Sequence, residues 1–145
     1  MRVAIGSDHG GFELKQKIVK TLKEKGFDVI DFGTDSNAPV DYPDYAKKIA
    51  HGVRSDEVDF GIALCGTGIG ISIALNKFKG IRAALVYDVH TAQLAKAHNR
   101  ANVIAIGGRT TTLKSAIKMI EAFANADFEP RHQHRIDKIN HIEGD

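Results

Sequence analysis

The single cysteine of the chain, Cys65, ends an apolar run and is followed by Gly66, Thr67, Gly68, Ile69 and Gly70. This Gly-x-Gly-x-Gly spacing has Ile71 where a dinucleotide fingerprint needs its third glycine or alanine, and no Gly-Lys-Ser/Thr follows to make a Walker loop. A turn of this kind points backbone N–H groups at an anion near a helix N-terminus. The same groups favour thiolate over thiol, which makes Cys65 a candidate for chemistry, although a lone cysteine also serves as a small buried apolar residue. Thr67 could offer its hydroxyl to the same anion or cap the helix that follows.

Three further groups of polar residues follow apolar runs. Asp8 and His9, in Ser7-Asp8-His9-Gly10-Gly11, suit substrate hydroxyls or phosphate, with helix capping as the plainer use of Ser7 or Asp8. His98-Asn99 ends a helical pattern, where a histidine also complements the helix dipole. Arg109, Arg131 and Arg135 could form a bidentate phosphate clamp, and the last two share a face if the tail is helical. His132 and His134 alternate with the arginines, but no further histidine or cysteine stands at ligand spacing, so no metal site is expected.

Short β-rich runs that could position these residues are Arg2–Gly6, Phe27–Phe32, Phe60–Leu64, Ile81–Tyr87 and Val103–Ile106. Between them, apolar residues recur at helical spacing, at Phe12, Leu14, Ile18, Val19 and Leu22, at Ala92, Leu94, Ala95 and Ala97, and at Leu113, Ala116, Ile117, Ile120 and Phe123. The alternation predicts a parallel sheet with helices on both faces. Ligands of such sheets gather at the carboxyl ends of the strands, which here read SDHGG, DFGTD, CGTGIG, YDVH and GGRT. The longest expected loop is Gly33–Pro43. In the polar tail, Ile136, Ile139 and Ile142 could make one face of a short helix, packed on its own domain or, as we favour, on a second copy.

The remaining composition narrows the function classes. A chain of 145 residues, 43% hydrophobic and 26% charged, fits one soluble domain spanning 1–145. The net charge of +2 is scattered, unlike the basic stripe of a nucleic-acid binder, and no apolar run is long enough to span a membrane. One cysteine excludes an internal disulfide and a CxxC motif, and the N-terminus lacks a signal peptide's apolar segment, so a cytoplasmic location is expected.

In order along the chain, SDHGG, DYPDYA, DFGIALCGTGIGISIALNKFKGIRAALVYD, AKAHNRANV, GGRT and RHQHRI closely resemble the RpiB/LacAB sugar-phosphate isomerase family. The cysteine in CGTGIG resembles its ribose-5-phosphate branch. The resemblance implies a three-layer α/β/α sandwich, a Rossmann-like five-stranded parallel sheet without a nucleotide, ending in a helical tail from about residue 125. It implies a homodimer, possibly a tetramer, with sites shared between subunits, and no cofactor, metal, nucleic-acid or membrane partner. The implied reaction interconverts D-ribose 5-phosphate and D-ribulose 5-phosphate through an enediolate, as in the pentose phosphate pathway. Alternatives are a related substrate such as allose or galactose 6-phosphate, a cysteine–histidine hydrolase, or a non-catalytic sugar-phosphate-binding module.

Carried over by position, Cys65 is the base, Thr67 the hydroxyl that moves a proton between O1 and O2, and His98 the acid that opens the furanose ring. Gly66, Gly68, Ile69 and Gly70 lie in the stretch whose amides meet the enediolate. His9, Arg109, Arg131 and Arg135 resemble the phosphate clamp, while Asp8 and Asn99 resemble contacts to the sugar. One departure stands out: the family commonly has Gly-Gly before the first tail arginine, whereas this chain has Glu129-Pro130, and proline fixes φ and removes a donor.

Overall fold

The computed structural model describes residues 1–144. The strands are β1 (Arg2–Ser7), β2 (Asp28–Asp31), β3 (Phe60–Cys65), β4 (Ala83–Leu85) and β5 (Val103–Gly107). The helices are α1 (Phe12–Glu24), α2 (Tyr42–Arg54), α3 (Ile69–Leu75), α4 (Val89–Ala97), α5 (Leu113–Asn125) and α6 (Gln133–Ile142). All five strands are parallel in the order β2-β1-β3-β5-β4. The chain leaves β1 for β2 on one side and returns to β3 on the other, so the sheet reverses between β1 and β3. Such a reversal opens a crevice at the carboxyl ends of the two strands.

The strands alternate faces, and each face takes its own helices. Val3, Ile5, Ile62, Leu64, Ile104 and Ile106 pack with Leu14, Ile18 and Leu22 of α1 and with α4 and α5. Ala63, Cys65, Val103 and Ala105 point the other way, into α2 and α3, against Ile49, Ala50, Ile71 and Leu75. The three-layer sandwich expected from the sequence is therefore present, and Cys65 belongs to its α2/α3 face.

Helix α2 was not among the helical patterns recognised in the sequence. Its apolar stripe, Ala46, Ile49, Ala50 and Val53, has helical spacing but two alanines. Pro43 lies in its first turn, a position that needs no amide hydrogen bond. Strand β4 is shorter than the expected Ile81–Tyr87. It is an edge strand, and Arg82 N–H beside it donates to the Asn102 side chain at 2.8 Å instead of to a neighbouring strand.

An ion pair between a buried lysine and a more exposed aspartate joins α1 to β2. Lys15 Nζ, on a side chain 1% exposed, meets Asp31 Oδ2 at 2.7 Å. Asp31 Oδ1 also accepts from Gly33 N–H at 2.8 Å. The pair thus ties α1 to the end of β2 and to the start of the long loop, and losing Asp31 would strand the buried Lys15 charge.

The tail folds as a helical turn at Pro130–His132 followed by α6. Ile136 is buried, whereas Ile139 is 40% and Ile142 83% exposed. Glu143 reaches Gly80 N–H at 2.9 Å, so the tail does rest on its own domain. No helix among the described residues is long and apolar enough to cross a membrane.

Candidate active site

The carboxyl rim of the sheet brings together the first, third and fifth strand ends. Asp8 N–H donates to Leu64 O at 3.2 Å, Gly108 N–H to Cys65 O at 2.7 Å, and Arg109 N–H to Gly66 O at 2.9 Å. This rim packs too tightly for side chains on its turns: a Cβ on Gly10 would lie 2.9 Å from Gly66 N. On Gly66 it would lie 3.0 Å from Arg109 Nη1, which places that guanidinium directly over the loop.

The loop after β3 holds the two candidate proton-transfer groups itself. Gly68 N–H donates to Cys65 Sγ at 3.2 Å, and Ile69 N–H donates to Thr67 Oγ1 at 3.2 Å. Two of the amides expected to face an enediolate are thus directed at the thiol and the hydroxyl. Cys65 is 5% exposed. Thr67 is exposed and borders a hollow of about 420 Å³ whose wall includes Ile69, Tyr87, Thr110 and Ser115.

His9 and Arg109 share a second hollow of about 260 Å³, together with Gly10, Glu13, Asn37 and Gly108. His9 Nδ1 lies 3.2 Å from both the nitrogen and the carbonyl oxygen of Val40, so the Val40 backbone holds the ring through that nitrogen. Neither Asn37 nor Val40 carries a sequence signal of its own, because both sit in the loop after β2. Asp8 realises the plainer use: buried at 7% exposure, it caps the turn His9–Gly11 by accepting from Gly11 N–H at 3.2 Å.

The other predicted residues gather elsewhere. His98 ends α4, where the chain returns to the amino end of β5, and Asn99 is exposed beside it. The His98 ring lies 4.5 Å from that of His132, centroid to centroid. Arg131 and Arg135 join this cluster but do not share a helical face, because α6 begins only at Gln133. Arg131 donates to Glu129 Oε1 through Nε at 3.0 Å and Nη2 at 2.8 Å. Arg135 Nη1 donates to His132 Nδ1 at 2.9 Å.

Glu129 is the residue that the sequence noted only as a departure. Its Oε2 lies 3.7 Å from His98 Nε2 and its Oε1 4.0 Å from His132 Nε2. The Arg131 hydrogen bond holds its carboxyl below the ordinary carboxylate range. Burial, and then Arg131, His98 and Arg135, push the His132 imidazole down from its ordinary value. Possible ligand atoms of His98, Glu129 and His132 all lie within 4.8 Å of one another. The two guanidiniums already engage this trio, and Arg135 occupies the lone pair of Nδ1, so the cluster is poorly suited to a cation. His134, the other histidine of the tail pattern, is exposed and outside it.

Two clusters therefore exist, and strand geometry separates them. Cys65 pairs with Gly107 at the carboxyl end of β5, whereas His98 precedes its amino end at Val103. Five strand residues span roughly 13 Å.

Residues 3–139 match the family model described as Ribose/Galactose Isomerase. The chain belongs to that family. It is 48% identical to ribose-5-phosphate isomerase B of Escherichia coli over 98% of this chain and 96% of that protein. It is 47% identical to the galactose-6-phosphate isomerase subunit LacB of Clostridium acetobutylicum, over 93% of this chain but 78% of that protein. Among solved structures, ribose-5-phosphate isomerase B of Clostridium thermocellum superposes with a TM-score of 0.96 at 48% identity, covering 99% of this chain and 98% of that one. The family's parallel α/β fold is the one observed here.

Proposed function

We propose that this protein is an aldose–ketose isomerase that interconverts ribose 5-phosphate and ribulose 5-phosphate at sites each built from two copies of the chain. The observation that carries the reading is Cys65 at the sheet's reversal point. Its sulfur is held by the Gly68 N–H, with Thr67 two residues away and the His9–Arg109 hollow on the same rim. That arrangement has what proton abstraction beside a carbonyl requires: a base, a second group to move the hydroxyl proton, and a remote anion site to orient the sugar.

In the mechanism, phosphate binding places C2 of the open-chain aldose against Cys65. The thiolate takes the C2 proton, and the electron pair moves to form the enediolate. Thr67 passes a proton from O2 to O1, and the same Cys65 returns the carbon-bound proton at C1. The charge on the enediolate is assigned to preorganised donors, the amides of the Gly66–Gly70 loop other than those of Gly68 and Ile69, which the thiol and the hydroxyl take. The covalent balance closes without an added oxidant or reductant.

His98 is assigned ring opening, and its position argues for the second copy. Within one chain it lies beyond the far end of β5 from Cys65, facing Glu129 and His132. A pocket that uses both residues needs two chains, related by the two-fold symmetry usual for homo-oligomers. His98, Asn99, Arg131 and Arg135 then complete the site that Asp8, His9, Cys65, Thr67 and Arg109 begin. The same separation opposes a cysteine–histidine hydrolase within one chain. A single domain over residues 1–145, with exposed Ile142 turned toward a partner, fits this arrangement, as does a cytoplasmic setting with its supply of sugar phosphates.

Isomerase assays on ribose 5-phosphate and allose 6-phosphate side by side test the proposal. Turnover of ribose 5-phosphate with the higher kcat/KM is expected. Preference for the hexose phosphate would move the substrate to the larger sugar, and no turnover of either would leave a binding module.

A further inference from the structure

The segment after α5 is docked with some care for a polar tail. Glu129 N–H donates to Ala97 O at 2.9 Å, which fixes the segment against the last turn of α4 and sets the Glu129 carboxylate beside His98. Pro130 follows and opens the turn that carries Arg131 and His132. One carboxylate is consequently surrounded by a bound guanidinium and two imidazoles, with Arg135 behind the second ring. His132 Nε2 faces this carboxylate at 4.0 Å and has no hydrogen-bond partner, on a residue only 9% exposed.

A donor set of this kind is built for an anion, and part of it is already taken by an anion from the chain itself. The Glu129 and Arg131 side chains are 43% and 66% exposed, so solvent and solute reach the pair. We infer that Glu129 is an intramolecular competitor of phosphate: it occupies the clamp when no ligand is bound, and the incoming phosphate must take Arg131 from it. The inference rests on the proposed role of Arg131 in holding the substrate's phosphate.

The chemistry makes the exchange feasible. A guanidinium fork grips carboxylate and phosphate in the same planar manner, and a phosphate dianion brings more charge and more acceptor oxygens than one carboxylate. An exposed pair of this type is weak, so it lowers phosphate affinity without preventing binding. On product release the carboxylate is at hand to recover the guanidinium. Glu129 thereby sets the affinity of the clamp, and it does so in a chain that lacks the Gly-Gly common at this place.

Calorimetric titration of the intact protein with inorganic phosphate tests this, using the parent, Glu129→Gln, Glu129→Ala and Arg131→Gln. Both Glu129 variants are expected to bind phosphate about two- to fivefold more tightly, since the competing pair is removed. The gain should shrink as neutral salt is raised, because exposed charges are screened. Arg131→Gln should bind phosphate more weakly than the parent. Unchanged or weaker binding in both Glu129 variants, with Arg131→Gln still impaired, would overturn the competitor role and leave the clamp intact. Undiminished binding in Arg131→Gln would remove the clamp reading itself, and the inference with it.

Discussion

Gly68 N–H donates to Cys65 Sγ at 3.2 Å, and Gly68 makes that approach with a φ of +80°. A Cβ there would meet Leu85 Cδ1 at 2.8 Å and the carbonyl carbon of Ile106 at 3.0 Å. Both the backbone conformation and the space require glycine. The thiol is thereby fixed by the loop that follows it, against a strand whose own position is set by pairing on both sides.

Cys65→Ala is expected to lower kcat by at least about 10²- to 10⁴-fold, the usual contribution of a positioned acid or base. Binding of inorganic phosphate should be nearly unchanged, because His9, Arg109 and the tail arginines are untouched. Steady-state kinetics together with a phosphate titration check both halves. Near-normal kcat would remove Cys65 as the base.

His98→Asn separates ring opening from isomerisation. Turnover of ribose 5-phosphate, which is mostly cyclic, should fall far more than turnover of the open-chain ketose in the reverse direction. The comparison is of initial rates both ways under saturating substrate. Equal losses would place His98 in the proton transfer or in folding.

Two inactive variants should rescue each other if each site takes Cys65 from one chain and His98 from the other. Co-expressing Cys65→Ala with His98→Asn gives mixed dimers with one intact site and one doubly damaged site. With random pairing about half the dimers are mixed, so recovery should approach about a quarter of the parent's activity per subunit. Purified mixed dimers without activity would put both residues in one chain's pocket.

His132 should make stability depend on pH in a defined direction. Its imidazole is pushed below its ordinary value of 6.5, first by burial and then by Arg131, His98 and Arg135, so the unfolded chain binds the proton more readily. Its contribution is complete above 6.5 and is lost as pH falls through the lowered folded value. Between about pH 8 and about pH 5.5, the parent's Tm should drop more than that of His132→Gln. Parallel curves would show that His132 is not a source of the dependence.

Exhaustive EDTA treatment should leave activity unchanged. The loop supplies its own donors, and the constellation of possible ligands found among the described residues, His98, Glu129 and His132, is engaged by Arg131 and Arg135. Activity that vanishes and is restored by a divalent cation would refute the mechanism.

The sheet, its helices on both faces and the rim that carries Asp8, His9, Cys65 and Arg109 were legible in the sequence, because each rests on local information. Strands such as Phe60–Cys65 are continuous apolar runs, and glycine clusters mark the turns at their ends. Helix α2 was missed because alanines blur its stripe, although its residues are as buried as those of α1. The fate of the second cluster could not be read this way. His98 and Glu129 are far apart in the chain and meet only because the Glu129 amide docks on Ala97. Whether Asp8 caps a turn, what holds the His9 ring, and what Arg131 holds were decided by partners 3, 31 and 2 residues away. Sequence spacing fixes which residues lie on a common strand end or helix face. The pairing of a charge with its counter-charge depends on where separate elements come to rest, and that is a property of the packed structure alone.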